Sequence, residues 1–175
     1  MRALALAALL VPLAAGAFEL GVKVQPVAAM PLASPQADLY GIGGGAWVKG
    51  AVGFRFVELQ LTAAYLAIVA AQPGQPTGGA LAIGGGARVQ RPHGPRGTFF
   101  PWLDGDLLYV RTGPLDRFGF AVAVGGLFPL GRARAFWLGP FLRYFQIVQP
   151  GRPGFDDGDA KIALVGLSGE WGRAR

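Results

Sequence analysis

The sequence predicts an all-β chain, an eight-stranded antiparallel up-and-down β-barrel that crosses a membrane with its strands. Three observations predict it. Eight extended segments, separated by Gly/Pro/Asp-rich breaks, alternate apolar and polar residues with period two. If these segments run up and down, Trp47, Trp102, Trp137 and Trp171 fall at one end, and Tyr40, Tyr65, Tyr109 and Tyr144 fall near the other. That is the pattern of aromatic belts at two membrane–water interfaces. Finally, the chain is 52% apolar with a mean hydropathy of +0.39, yet no later stretch is an uninterrupted apolar 18-mer. A closed barrel is then the remaining way to satisfy every backbone group in lipid.

The N-terminus reads as a secretory signal peptide over residues 1–17. Arg2 is its positive region, Ala3 to Leu13 its apolar region and Ala15-Gly16-Ala17 its small-x-small cleavage site. The apolar run is shorter than the roughly 20 residues that a spanning helix needs. Residues 18–175 are expected to form one outer-membrane barrel domain beginning at Phe18. No Cys follows the cleavage site, so a lipoprotein anchor is not expected.

The first strand is expected over about Phe18–Val24, with Phe18, Leu20, Val22 and Val24 on its apolar face. Ala28 to Asp38 contains Pro31, Ser34 and Pro35 and reads as a loop. The second strand spans about Leu39–Lys49, with Ile42, Gly44, Ala46 and Val48 on one face, and a tight turn near Gly50–Gly53 follows. The third, about Phe54–Val69, sets Val57, Leu59, Leu61 and Tyr65 against Glu58, Gln60, Thr62 and Ala64. The fourth, about Gly79–Gln90, sets Leu81, Ile83, Ala87 and Val89 against Gly84, Gly86 and Arg88.

Thr98–Arg111 is the fifth strand, with Leu103, Leu107 and Tyr109 opposing Asp104 and Asp106. The loop Gly113–Asp116 leads to the sixth, about Phe118–Phe128, which has the clearest alternation. The seventh, about Phe136–Val148, sends Leu138, Leu142 and Tyr144 one way and Arg143 the other. The eighth, about Ala160–Trp171, opposes Val165, Leu167 and Trp171 to Ser168 and Glu170. Short turns alternate with longer loops, so the tryptophan rim is expected to be periplasmic and the tyrosine rim extracellular. Phe18, Phe99, Phe100, Phe128 and Phe136 are expected to join the tryptophan rim.

The polar faces carry Glu19, Lys23, Glu58, Arg88, Asp104, Asp106, Arg143 and Glu170. An eight-stranded barrel is just wide enough for its side chains to fill it. Charges enclosed there must pair. The expectation is therefore a charge network that plugs the lumen.

Other chemistries are poorly supported. Net charge is +6, but only 15% of residues are charged and no basic stripe with interleaved aromatics forms, so no nucleic-acid partner is expected. Arg91, Arg96, Arg132, Arg134, Arg173 and Arg175 lie in turns or the tail at the tryptophan end, where they meet solvent or lipid phosphates. With His93 as the one histidine, Ser34 and Ser168 as the serines beyond the signal, and no Cys, no catalytic, metal or cofactor site is expected. Asp156-Asp157-Gly158-Asp159 lacks the spacing of a calcium loop. The triple glycines at 43–45 and 84–86 are followed by strand pattern rather than a helix, so they are not phosphate loops.

The final strand ends Gly166-Leu-Ser-Gly-Glu-Trp171, an alternating segment closed by an aromatic. Together with Gly139-Pro-Phe-Leu-Arg-Tyr144 and Val165-Gly-Leu-Ser168, it resembles the small OmpA/OmpX-type outer-membrane barrels. The resemblance covers the mature chain as architecture and the last two strands as sequence. Four residues follow Trp171, whereas the class signal is usually terminal. The peptidoglycan-binding domain of many OmpA-like proteins is not expected. The resemblance implies a Gram-negative outer membrane, a non-enzymatic structural or surface-interaction role, and three kinds of partner. These are outer-membrane lipids, the barrel-assembly machinery through the last strand, and a surface ligand of unknown identity. A narrow pore or passive transporter is the first alternative, and a soluble secreted ligand-binding barrel the second.

Overall fold

A computed structural model describes residues 19–53, 56–74, 76–91, 98–131, 134–148 and 159–172. The signal-peptide region, Phe18 and His93 lie outside the described residues. Eight strands follow one another: β1 (Glu19–Pro31), β2 (Tyr40–Gly53), β3 (Val57–Ala70), β4 (Gly78–Gln90), β5 (Phe100–Thr112), β6 (Leu115–Leu130), β7 (Phe136–Val148) and β8 (Ala160–Trp171). One short helix, α1 (Gln36–Leu39), lies between β1 and β2. Each strand pairs antiparallel with the next, and β8 closes on β1. Stepping from Val22 through Gly50, Leu61, Gly85, Leu107, Phe120, Gln146 and Lys161 leads back to Leu32, not to Val22. That stagger is the shear that a closed barrel requires of tilted strands. The lower end below is where β1 begins and β8 finishes; the upper end carries α1.

Several boundaries differ from the sequence reading. The first strand runs on to Pro31, seven residues past its expected end, and its last four residues come from the stretch read as a loop. Pro26 disguises this. It lacks an N–H, and the ladder to β8 skips from Val24↔Gly169 to Val27↔Gly166, while pairing with β2 continues through Pro26↔Ala46. The segment from Gly50 to Gly53 is also strand rather than turn. Between β5 and β6 the loop shrinks to two residues, because Thr112 already faces Leu115. Gly113, at φ 58°, provides the positive φ that this hairpin needs before the fixed φ of Pro114.

The outer surface is an apolar band. Leu59, Leu61, Leu107, Val122, Val124, Val165 and Leu167 are all exposed, while Glu58, Gln60, Arg88, Arg143 and Glu170 are buried inside. This arrangement inverts that of a water-soluble barrel and suits a hydrocarbon surround. It contradicts the soluble secreted reading, which needs an apolar interior within a polar exterior.

Glycine sets the tightness of the wall. A Cβ on Gly86 would lie 1.9 Å from the carbonyl oxygen of Gly105 on β5 and 2.7 Å from the Asp106 carboxylate. Only hydrogen fits that approach. Gly86→Ala is expected to lower stability by about 1–3 kcal/mol through overpacking, measured as a shift of the urea unfolding midpoint in lipid vesicles. An unchanged midpoint would show that β4 and β5 can part at no cost.

Candidate functional site

Among the described residues the lumen gathers the buried charged groups, and two layers can be told apart in it. The lower layer is charged. From β1, Lys23 donates to Glu58 of β3 and, at 3.4 Å, to Gln60. Gln90 of β4 donates to the other Glu58 oxygen at 3.0 Å. Arg88 reaches Glu170 of β8 at 2.5 Å and Asp104 of β5 at 3.2 Å. Lys49 of β2 bridges Asp104 at 3.1 Å and Asp106 at 2.6 Å. The remaining Asp106 oxygen accepts from Gln60 at 3.1 Å and Thr62 at 3.0 Å.

Arg143 of β7 donates to Gln25 at 2.8 Å and approaches Asp104 Oδ1 at 3.8 Å. Gln25 donates to Ser168, which donates to Glu170, both at 2.9 Å. The cations Lys23, Lys49, Arg88 and Arg143 are thus matched by the carboxylates Glu58, Asp104, Asp106 and Glu170, with every one of these side chains buried. Such mutual pairing is what makes burial of charge tolerable. To this lower layer β6 contributes no charge; it offers Ala121 and Ala123 there and so leaves room for the long side chains opposite.

Of the residues expected in the lumen, Lys23, Glu58, Arg88, Asp104, Asp106, Arg143 and Glu170 are brought together in this layer. Glu19 is half-buried at the lower edge and joins none of the ion pairs among the described residues. The sequence reading missed Lys49, which bridges two carboxylates. Its parity could have found it, since it lies on the face opposite Ala46 and Val48.

The rim expectation needs correction. Trp47, Trp102 and Trp137 point into the barrel, at 0%, 3% and 3% exposure. They are no part of a lipid-facing belt. The guanidinium of Arg143 lies 4.1 Å from the centre of the Trp47 ring, and that of Arg88 lies 3.9 Å from the Trp102 ring. Lys49 Nζ lies 5.9 Å from the Trp47 ring as well, so three of the four buried cations meet aromatic faces, a contact that strengthens when water is excluded. Phe100 is also inside and meets Trp137 edge-on at 4.9 Å.

Aromatics do ring the outside, in a different composition. Trp171 stacks against Phe136 at 4.7 Å, and Phe99 against Phe128 at 5.2 Å, at the lower end. Tyr65, Tyr109 and Phe118 are exposed toward the upper end. Tyr144 is half-buried and donates to Gln146 at 2.6 Å, and Tyr40 is half-buried at the upper mouth.

The upper layer is apolar, which the sequence reading of a polar plug did not include. Leu66, Leu108, Phe145 and Leu164 are almost completely buried, with Trp47 edge-on to Phe145 at 5.5 Å. Above them the lumen opens into a cavity of about 200 Å³ to which every strand and α1 contribute. Ser168 is occupied in the charged layer and Ser34 is exposed outside. Asp159 is buried and accepts from Gln146 at 2.7 Å. Among the described residues no group of His, Cys, Asp and Glu could hold a metal ion.

No family model matches the chain, and no curated protein matches its sequence. Solved structures do match. Neisserial surface protein A is similar at 16% identity and a TM-score of 0.58, covering 87% of this chain and 96% of that one. The outer membrane protein OprG from Pseudomonas aeruginosa is similar at 11% identity and the same TM-score, covering 89% and 97%. The chain shares its fold with small bacterial outer-membrane barrels. At such identities the likeness extends to the closed eight-stranded architecture and not to any activity.

Proposed function

We propose that the protein is an integral barrel of a Gram-negative outer membrane, of the OmpA/OmpX type, with a structural or surface-interaction role and no enzymatic activity. The observation that carries this reading is the double filling of the lumen. A balanced ionic layer and an apolar layer lie in series, so an ion would meet first tight side-chain pairs and then a hydrocarbon barrier. Outer-membrane lipids would cover the apolar band. The barrel-assembly machinery would engage β8, and the upper loops would meet a surface ligand.

The test is conductance of the purified barrel in a planar bilayer. No discrete steps are expected in 1 M salt, for the wild type or for Lys49→Met. A steady conductance that changes in Lys49→Met would overturn the closed-lumen reading. It would favour a narrow pore instead, the reading that a charged layer contributed by seven strands otherwise supports.

A further inference from the structure

We propose that the upper mouth of the lumen is a binding site for a small amphiphile, an apolar body carrying an anionic head group. The site is separate from the charged layer and requires no conduction. A barrel filled only for stability would continue its packing to the mouth. Here, although Val110 and Ile162 are also buried above Leu66, Leu108 and Leu164, a space remains at the mouth, lined in part by small residues such as Ala80 and Ala160. At about 200 Å³ the cavity falls below the roughly 300–1,000 Å³ of drug-sized sites. It therefore suits one short chain rather than a large ligand.

The lining specifies the chemistry. Ile68, Ile147 and Ile162 form an apolar base, while Thr112, Arg117 and Gln36 of α1 bring polar groups. Arg117 is the one cationic side chain in that lining. It also interacts elsewhere in the protein, and its five N–H groups leave donors for a second acceptor. A carboxylate or phosphate on a short tail would take a charge-assisted, bidentate contact there. The buried carboxylate of Asp159 is no part of the lining and is engaged by Gln146. Within that lining the charged group is the guanidinium.

The chain's five isoleucines make the test internal. Ile68, Ile147 and Ile162 line the cavity, whereas Ile42 and Ile83 face outward at 69% and 55% exposure. With ¹³C-methyl isoleucine label and the full chain in phosphatidylcholine nanodiscs, octanoate, octanol and octylammonium are titrated in turn. Octanoate is expected to move the three lumen methyls saturably and to leave the two outer ones at the response of the lipid alone. Octylammonium should bind about tenfold or more weakly than octanoate, the worth of one charge-assisted contact.

Arg117→Gln should remove the preference for octanoate over octanol while retaining weak binding. Ala160→Phe, which fills the space, should abolish the saturable shift. All five methyls moving together without saturation would mean membrane partition and would overturn the site. So would octylammonium binding as tightly as octanoate, or a folded Ala160→Phe barrel that still binds. Should Ala160→Phe not fold, the head-group series on the wild type and Arg117→Gln decides alone. Bilayer conductance is silent throughout these arms, so their failure is distinguishable from failure of the closed-lumen reading.

Discussion

Lys49→Met is expected to destabilise the folded barrel by about 3–5 kcal/mol, read from reversible urea unfolding in lipid vesicles. The ammonium bridges Asp104 and Asp106, at 3.1 and 2.6 Å, and all three side chains are inaccessible to water. Methionine keeps the volume and removes the charge. Two carboxylates then face each other, with Asp104 still held by Arg88 and Asp106 held only by the neutral Gln60 and Thr62. The comparison that identifies the cause is Lys49→Met with Asp106→Asn. That pair restores neutrality, and it should cost less than Lys49→Met alone, since an uncompensated buried charge is worse than a missing ion pair. If the double variant costs the sum of the two singles, the loss lies in packing and the network is not what holds the lower lumen.

The number of strands and their directions were legible because the breaks are chemically plain. Gln72-Pro-Gly-Gln-Pro and Gly113-Pro both interrupt the strand pattern, because Pro and Gly clustered together favour a turn over a continued ladder. Facing was legible wherever a charge fixed the parity. Glu58, Arg88, Asp104 and Arg143 each declare the inner face of their strand, and one slip would have put them in lipid.

The upper half lost that signal. There both faces are apolar, as in Leu107-Leu108 and Tyr144-Phe145, with Leu107 outside and Leu108 inside. Alternation of polarity vanishes although alternation of side does not. The apolar lumen layer and the mouth cavity were accordingly invisible in the sequence. The tryptophans show a different failure. Their level along the strands suggested a belt, but level does not set facing, and for Trp47 the level differs too: β2 runs on to Gly53, so Trp47 lies opposite Ala64, beside Tyr65, and not at the lower end. Trp102 shares parity with Asp104, and Trp137 with Arg143. The same period-two rule that placed the charges inside placed these indoles beside them.

Val122→Arg is expected to cost about 2–4 kcal/mol, whereas Leu130→Arg on the same strand should cost about 0–1 kcal/mol. Both residues point outward and are similarly exposed, at 46% and 44%, so ordinary burial predicts equal effects. They differ in depth. Val122 sits at the middle of β6, opposite Gly105 on one side and Tyr144 on the other. Leu130 ends the strand, opposite Phe136 and close to the lower aromatic ring of Phe136 and Trp171. An arginine at the middle has no water within reach of its head group. One at the end can extend along the apolar surface to the interface. Unfolding of both variants from vesicles of the same lipid would measure the difference. Equal costs would mean that the apolar exterior does not lie in hydrocarbon at mid-height, and the transmembrane placement of the barrel would fall with it.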